Sequence, residues 1–275
     1  MHTQQSDCPL VSVAMGVLYR RDNLDYLKRS VSSILNQTYR NFECLICDDG
    51  STFKAKRYLD ECSRLDKRII LIRPEVKFDL ASKLNACLRE ARGKYIARMD
   101  DDDYSQPERF RRQVDLLSTE TSIAFVGSNV TLNRSGVACG ERRFPEYPKV
   151  RDFYMTQPYI HPTLMFRKEA LESVNGYSED KRQVLCEDYD LLLRLYAQGY
   201  QGMNIQENLL EYTIPASGRS NRRMCHRWNE TVTRWQRFRE TGELPRALPF
   251  VVKPLAVGLI PKKVLLAARA YFGEA

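Results

Sequence analysis

The chain has 275 residues, of which 43% are hydrophobic and 28% charged, a balance that predicts a globular protein with a sizeable core in one large or two small domains. No apolar run of about eighteen residues occurs, so we expect no membrane-spanning helix, and the N-terminal residues lack the pattern of a secretory signal. The net charge of +8 lies entirely from Arg219 onward, where 12 Lys and Arg stand against 4 Asp and Glu. This distribution argues against a general nucleic-acid binder and predicts one basic surface at one end.

Up to Met99 the sequence alternates between strand-like and helix-like patterns. The predicted strands are 11–15, 42–47, 69–72 and 94–99, and the predicted helices are 24–35, a polar segment ending at 65, and 80–91. This β-α-β-α-β-α-β order predicts an α/β fold with an open, mostly parallel sheet and helices on both faces. Further along, we expect strands at 123–127, 161–166 and 208–214, and an apolar helix between Glu187 and Gly199.

Two of the predicted strands run directly into acidic turns. Asp48 and Asp49 follow the second strand, and Asp100 to Asp103 follow the fourth. Ligands of open α/β sheets bind at the carboxyl ends of the strands, and Asp side chains are the hard oxygen ligands that suit Mg²⁺ or Mn²⁺. The second turn therefore indicates a metal site, although a solvated acidic turn that caps the next helix also fits. For that helix the pattern predicts Ser105 as N-cap, with Pro107 and Glu108 in its first turn.

The cysteines give no sign of a structural framework. Eight are scattered through the chain without disulfide or zinc spacing, which predicts reduced cysteines in a cytoplasmic protein. Cys44 and Cys47 have CxxC spacing but fall in a predicted strand, where positions three apart face opposite ways.

Several stretches, taken together and in this order, resemble glycosyltransferase family 2, the inverting nucleotide-sugar transferases of the GT-A fold. They are SILNQTYRNFECLICDDGST, LASKLNACLREARGKYIARMDDDDYSQPERFRRQ, HPTLMFRK, NGY and EDYDLLLRL, and they cover roughly residues 10 to 212. The resemblance implies a metal-dependent, inverting transfer of one sugar from a nucleoside diphosphate sugar, expected to be a UDP-sugar. It also implies a saccharide or lipid-linked acceptor in bacterial surface polysaccharide or lipopolysaccharide synthesis, and no nucleic-acid partner.

The resemblance also implies roles for individual acidic residues. Asp48 and Asp49 match the acidic pair on the uracil and ribose side of the donor. Asp100-Asp101-Asp102 matches the DxD motif, in which Asp102 would bind Mn²⁺ or Mg²⁺ directly and Asp100 would contact ribose or metal. A metal held there would neutralise the diphosphate leaving group.

Further along, the resemblance reaches the catalytic and acceptor segments. Glu187 and Asp188 match the pair whose aspartate is the catalytic base, which direct displacement requires to accept the proton of the acceptor hydroxyl. Ordinary negative charge at a helix N-terminus is the alternative for this pair. His161 and Arg194 fall in segments on the acceptor side.

The sequence departs from the family pattern at several positions. Val17 and Arg20 stand where the first motif usually has Pro and Asn, and we retain Tyr19 as a residue that could stack on the base. Lys83 could reach the diphosphate, or could be a solvated helix lysine. The QxxRW string of processive members is absent, since Met224 to Trp228 lacks the glutamine, so a single-addition transferase is expected.

Beyond residue 215 the composition changes, and we predict a catalytic domain at 1–215 and a basic amphipathic extension at 216–275. Arginines alternate there with Trp228, Trp235 and Phe238, and an apolar, proline-broken segment follows from Ala247 to Phe272. Basic residues beside aromatic ones are typical of helices in an anionic membrane interface, here the inner face of the cytoplasmic membrane. A helical cap packed on the catalytic domain is the alternative.

Two other functions remain open on the sequence alone. A sugar-phosphate nucleotidyltransferase also uses an α/β sheet with acidic metal ligands, but it requires a Gly-rich phosphate loop after the first strand, where only Gly16 occurs. A catalytically inactive nucleotide-sugar-binding protein is the other alternative, against which the presence of Asp102 and Asp188 argues.

Overall fold

The computed structural model describes residues 8–214 and 223–260. Nine strands and eight α-helices occur in these ranges. The strands are β1 Val11–Val17, β2 Phe42–Asp48, β3 Ile69–Ile72, β4 Tyr95–Met99, β5 Tyr104–Ser105, β6 Ile123–Arg134, β7 Val137–Arg142, β8 Met165–Arg167 and β9 Gln201–Thr213. The helices are α1 Asp25–Leu35, α2 Phe53–Leu65, α3 Leu80–Glu90, α4 Arg109–Thr119, α5 Lys168–Ser173, α6 Glu187–Ala197, α7 Met224–Glu240 and α8 Leu244–Leu259.

The strands form one sheet in the order β3-β2-β1-β4-β8-β6-β9-β5, with β7 paired to β6 at the side. The first four strands in this order are parallel, as predicted, while β8 runs antiparallel to both β4 and β6. Parallel register places Val17 beside Asp48 and Met15 beside Met99. The carboxyl ends of β1, β2 and β4 therefore lie next to one another.

Helices cover both faces of the sheet, which confirms the predicted fold class. Alternate residues of β1 separate the two cores, because Val13 packs with the cluster that includes α1, α2 and α4, whereas Ala14 packs with the cluster that includes α3, α5 and α6. Cys44 and Cys47 divide between the same two clusters, and all eight cysteines are free. The expectation that Cys44 and Cys47 face opposite sides of the sheet is thus confirmed.

The helix after the acidic turn begins later than predicted. Ser105 lies in β5, where it pairs with Leu210, and α4 starts at Arg109 without a side-chain cap. The Ser105 hydroxyl accepts a hydrogen bond from Gln37 Nε2 at 3.1 Å instead of capping the helix. The capping-box prediction was wrong because the Ser105 hydroxyl bonds to the buried Gln37 and the Ser105 backbone pairs with β9, so neither is available to cap α4.

The described part of the predicted C-terminal extension is a helical hairpin that packs against α6. Phe238, Ala247 and Val251 are buried in the same cluster as α6, and Phe250 stacks on Tyr154 with ring centroids 5.3 Å apart. The predicted boundary at 215/216 and the residues from Pro261 to Phe272 lie outside the described ranges. None of the helices in residues 8–214 and 223–260 has the length and apolar character needed to cross a bilayer.

Candidate active site

The loop after β2 is fixed by its two acidic residues. Asp48 Oδ1 accepts hydrogen bonds from the backbone N–H groups of Gly50 and Ser51, at 3.3 and 2.9 Å, so this carboxylate shapes the turn itself. Its second oxygen, Oδ2, is buried and has no hydrogen-bond partner among the described residues. A buried acceptor of this kind is costly unless a ligand donates to it.

Asp49 and Lys83 form a buried ion pair beneath the same loop. Their side chains are 2% and 5% exposed, and Lys83 Nζ lies 2.6 Å from Asp49 Oδ1. The ammonium also donates to the Val17 carbonyl oxygen at 3.0 Å, and Asp49 Oδ2 accepts from the Phe78 N–H at 2.9 Å. Lys83 therefore joins the ends of β1 and β2 and is not the solvated helix lysine of the alternative. Its position was visible in the sequence, because residue 83 lies three after Leu80 and four before Cys87 on the apolar face of α3.

Tyr19 does not present a face for stacking on a base. The side chain is 3% exposed and belongs to the core, its hydroxyl donates to the Asn23 carbonyl oxygen at 2.8 Å, and its N–H donates to Ser51 Oγ. The stacking role expected from the motif is thereby corrected, because the ring is enclosed by the protein. Tyr19 instead connects the β1 loop to the β2 loop.

The run Asp100–Asp102 lies at the end of β4, beside these two loops. Asp100 pairs with the buried Arg98 at 2.7 Å, and Asp102 pairs with Arg21 at 3.2 Å. Burial, together with repulsion from the adjacent carboxylates, raises the pKa of Asp101 to about 7 and also raises that of Asp102.

The residues at this turn fit a divalent cation. Burial is the main cause of the raised carboxyl pKa values, repulsion between the adjacent carboxylates adds to it, and an added cation would relieve that repulsion. Across the described ranges no three His, Cys, Asp or Glu side chains converge into a metal cage. Mg²⁺ in transferases commonly takes one or two carboxylates and completes its shell with substrate phosphates and water. Asp102, with Asp100, suits that kind of shared site.

The fourth carboxylate of the run has a structural contact. Asp103 is buried, and its Oδ1 accepts a hydrogen bond from the Thr213 N–H at 2.7 Å, which fastens the turn to the end of β9. Arg109, fully buried behind it, donates to the Arg98 carbonyl oxygen at 2.7 Å. Burial lowers the pKa of Arg109 to about 9. Sequence analysis missed Arg98 and Arg109, although an arginine inside an apolar strand just before four carboxylates was a signal for the first.

Asp188 stands at the start of α6 and faces a cavity of about 440 Å³ that Asp100 also lines. Its Oδ2 accepts a hydrogen bond from Gln157 Nε2 at 2.9 Å, and its Oδ1 accepts from the Tyr189 N–H at 2.8 Å. The neighbouring Glu187 accepts from the Leu185 N–H at 3.0 Å, and burial raises its pKa. The hydrogen bonds from Gln157 and from the Tyr189 N–H therefore fix the orientation of the Asp188 carboxylate. Gln157 is a site residue that sequence analysis missed.

His161 lies in the wall of the same cavity and is almost fully buried. Its Nε2 is 2.8 Å from the Tyr177 hydroxyl. Burial, reinforced by the positive charge of Arg98, lowers the pKa of His161 well below its usual value. The imidazole is therefore neutral at physiological pH.

Arg194 lies away from this cavity, contrary to the acceptor-side role implied by the resemblance. It pairs with the fully buried Asp190 at 2.8 Å and donates to the carbonyl oxygens of Val174 and Gly176. Arg237 of α7 pairs with the other oxygen of Asp190, also at 2.8 Å. The group joins α6 to α7 and to the segment after α5, which is a structural role.

The sheet, its acidic strand ends and the carboxylate at the start of α6 together have the architecture of a GT-A glycosyltransferase. The sequence model of "Glycosyl transferase family 2" matches residues 16–174. The chain belongs to this family and is a glycosyltransferase, which confirms the resemblance seen in its motifs and sets aside the nucleotidyltransferase alternative.

Named relatives agree with this assignment. The chain is 32% identical to EpsE of Bacillus subtilis, over 94% of this chain and 92% of EpsE. It is 33% identical to the O-antigen biosynthesis glycosyltransferase WbnJ of Escherichia coli, over 74% and 80% of the two chains. It is 30% identical to WfaP of Escherichia coli, a UDP-Glc:α-D-GlcNAc-diphosphoundecaprenol β-1,3-glucosyltransferase, over 71% and 73%.

Solved structures show the same fold at low sequence identity. S. aureus TarS 1–349 in complex with UDP-GlcNAc superposes with a TM-score of 0.69 at 15% identity, over 90% of this chain and 71% of that one. The mannosyltransferase PcManGT of Pyrobaculum calidifontis, in complex with GDP-Man and Mn²⁺, superposes with a TM-score of 0.59 at 17% identity, over 97% and 81%.

Proposed function

We propose that this enzyme transfers one sugar from a nucleoside diphosphate sugar, expected to be a UDP-sugar, to an acceptor hydroxyl with inversion at the anomeric carbon. The observation that carries the proposal is the shared cavity of Asp100 and Asp188, in which Gln157 orients the Asp188 carboxylate. Asp100, the first residue of the DxD-like run, and Asp188 thus line one volume, which supports a donor and a base acting on the same acceptor.

The donor half of the site is formed by the ends of β1, β2 and β4. Asp48 offers a buried, unpartnered oxygen that can accept a hydrogen bond from the base, and the Asp49–Lys83 pair holds the loop around it. Asp102 and Asp100 would hold a divalent metal, Mn²⁺ or Mg²⁺. When bound, that metal supplies neutralisation of the negative charge that develops on the diphosphate leaving group.

The acceptor half centres on Asp188. Its carboxylate takes the proton of the acceptor hydroxyl as the oxygen forms a bond to the anomeric carbon and the bond from that carbon to the diphosphate oxygen breaks. Gln157 holds the carboxylate towards the cavity, and the neutral His161 in the wall adds a polar group without adding charge. A single displacement of this kind inverts the anomeric configuration and needs only one base.

The acceptor we propose is a saccharide, carried by a lipid diphosphate, in the synthesis of a bacterial surface polysaccharide or lipopolysaccharide. The names of WbnJ and WfaP place those relatives in O-antigen biosynthesis and in transfer to a diphosphoundecaprenol-linked sugar. This acceptor would bring the enzyme to the inner face of the cytoplasmic membrane.

Two carboxylate substitutions test the proposed mechanism. Asp188→Asn should lower kcat by about 10² or more while donor affinity stays nearly unchanged, because a base acts on the acceptor proton in the transition state. Asp102→Asn should abolish metal-dependent donor binding, measured by calorimetry with UDP and Mn²⁺. Asp180→Asn, at an exposed carboxylate outside the cavity, is the matched control. A collapse of donor affinity in Asp188→Asn, or unchanged affinity in Asp102→Asn, would contradict these roles. Absence of turnover by the wild-type protein with a panel of nucleotide sugars would indicate an inactive binding protein.

We further propose that the outer face of the α7–α8 hairpin contacts anionic lipid. Seven of the fifteen large apolar side chains that are exposed in the described ranges belong to residues 224–260. Trp228 and Trp235 are 58% and 47% exposed on α7, and Leu248, Val252 and Leu259 form an exposed stripe on α8. Exposed tryptophans near arginines favour a bilayer interface. The opposite faces of both helices pack on the rest of the protein, as the alternative of a helical cap had predicted.

The hairpin also forms part of the cavity wall, which relates lipid contact to catalysis. Glu230 and Arg234 of α7 line the cavity that contains Asp188, whereas Trp228 and Trp235 lie on the exposed side of the same helix. The full chain should sediment with anionic vesicles at low salt and more weakly at high salt. A Trp228→Ser/Trp235→Ser double variant should lose this binding, whereas Phe53→Ser, at a more exposed aromatic side chain on α2, should retain it. No binding by the full chain at low salt would refute the lipid contact.

A further inference from the structure

Among the described residues that line the proposed acceptor cavity, one arginine has no carboxylate partner. Three arginines line the cavity, namely Arg98, Arg142 and Arg234. Arg98 pairs with Asp100 at 2.7 Å, and Arg234 pairs with Glu230 at 3.0 Å while donating to the Tyr154 carbonyl oxygen. Among the described residues, no carboxylate lies within 4.0 Å of the Arg142 guanidinium.

Arg142 is held at the rim of the cavity by its surroundings. It is the last residue of β7 and pairs with Val130 of β6. Its guanidinium carbon lies 5.3 Å from the centre of the Phe144 ring, and Phe144 is itself buried and anchored by a hydrogen bond from its N–H to Asn129 Oδ1. A guanidinium supported on an aromatic face is partly pre-oriented, so a ligand that binds it orders less of the side chain.

The carboxylates of the cavity show what this cation can do. Glu187 and Asp188 face the same volume as Arg142. An anionic group that entered beside these two carboxylates would be repelled, unless a cation lay on its path. Arginine binds phosphate oxygens through two parallel N–H donors, and these charge-assisted hydrogen bonds are stronger than those it makes to the neutral hydroxyls of a sugar.

We propose that Arg142 binds a phosphate group of the acceptor, the diphosphate that links its sugar to the lipid. This inference rests on the proposed function, because it takes the cavity at Asp188 as the acceptor site. It makes Arg142 a specificity residue, which selects diphosphate-linked acceptors over neutral glycosides while the sugar hydroxyl faces Asp188. The diphosphate of the donor is the other possible source of phosphate, and the experiment separates the two.

The test compares two soluble probes that carry the same sugar and differ in whether a diphosphate joins it to the alkyl chain. They are the short-chain alkyl diphosphate of N-acetylglucosamine and the alkyl glycoside of the same sugar, and their binding to the full chain is measured by calorimetry without donor. Wild-type protein should bind the diphosphate probe about tenfold more tightly or better, since charge-assisted hydrogen bonds are stronger than neutral ones. Arg142→Gln should remove this preference, and Arg142→Lys should retain part of it because lysine keeps the charge but not the paired donors.

Arg143→Gln is the matched control, because Arg143 adjoins Arg142 but is 79% exposed, pairs with Glu141 and does not line the cavity. It should keep the full preference, and all three variants should keep the wild-type melting temperature. A wild-type chain with no preference for the diphosphate probe, or a preference that survives in Arg142→Gln, overturns the inference. If Arg142→Gln instead weakens binding of UDP with Mn²⁺, the residue belongs to the donor diphosphate and the inference is wrong. Failure of the proposed function gives a different result. In that case neither probe accepts a sugar from any nucleotide sugar, although the protein still binds the diphosphate probe more tightly.

Discussion

Replacement of Lys83 by methionine should destabilise the protein strongly, because it breaks a buried ion pair from one side. Methionine fills a similar volume in α3, but it leaves Asp49 2% exposed and without the ammonium that lies 2.6 Å away. It also removes the hydrogen bond from Nζ to the Val17 carbonyl oxygen. Loss of one partner of a buried pair costs about 3–5 kcal/mol, since the remaining charge stays desolvated.

That loss is large against the stability of a folded chain, which is about 5–15 kcal/mol. For a protein of this size, about 2–4 °C of melting temperature corresponds to 1 kcal/mol, so Lys83→Met should melt roughly 10 °C lower. Because Asp49 and Val17 belong to the loops of the donor site, affinity for UDP should fall together with stability. Differential scanning calorimetry and nucleotide titration measure the two effects.

The double variant Lys83→Met/Asp49→Asn separates an ion-pair effect from a packing effect. Removing both charges should restore part of the lost stability, because no uncompensated charge remains buried. Lys54→Met, at an exposed position of α2, is the matched control and should change the free energy of unfolding by less than about 0.5 kcal/mol. If Lys83→Met costs no more than this control, the ion pair does not hold the loops and our explanation of Lys83 is wrong.

Acid sensitivity and the Asp190 ion group give two further predictions. Burial lowers the pKa of His161 in the folded protein, so below pH of about 6.5 the unfolded chain binds a proton that the folded chain does not. The free energy of unfolding should therefore keep its full value above that pH and fall by up to about 1.4 kcal/mol per pH unit below it. In urea denaturation at several pH values His161→Gln should reduce this slope and His226→Gln should not, whereas equal slopes in all three proteins would contradict the assignment. Asp190→Asn should lower the free energy of unfolding by about 3 kcal/mol, because it leaves the Arg194 and Arg237 guanidinium groups without their shared carboxylate. A melting temperature equal to that of the wild type would show that these ion pairs do not link α6 to α7.

The order of strands and helices could be predicted because hydrophobic periodicity is a local property of the sequence. The strands from β1 to β4 and the helices between them were placed to within about two residues, the usual precision of element boundaries. Parallel pairing then brought the acidic turns of β2 and β4 to one edge, as the alternation of elements had indicated. What periodicity could not supply was the use of single polar groups, as Ser105 shows: its hydroxyl is taken by Gln37, which is distant in sequence.

The candidate site likewise contains residues that the sequence could indicate and residues that only tertiary packing brings together. Carboxylates at a strand end form a local pattern, so Asp100 and Asp102 could be selected from the sequence, whereas Asp188 was selected through the resemblance of its segment to the family. Gln157 and Arg142 come from a loop and from the end of an outer hairpin, and no local pattern marks them. Their roles depend on which residues meet across the cavity, and that is fixed by tertiary packing.

The structure also changes what the basic C-terminal segment can contribute to lipid binding. Arg234 and Arg237 are 4% and 14% exposed and pair with carboxylates inside the protein, so they are not available to a lipid surface. Each accessible basic residue adds about 1 kcal/mol near an anionic membrane, whereas burying the exposed half of a tryptophan, roughly 100 Å², adds about 2–3 kcal/mol. Trp228→Ser/Trp235→Ser should therefore weaken vesicle binding more than Arg239→Gln/Arg246→Gln does, and binding at high salt should depend mainly on the tryptophans. Vesicle sedimentation of the two double variants at low and high salt measures this order, and a larger loss from the arginine pair would show that charge, not the apolar face of the hairpin, dominates the contact.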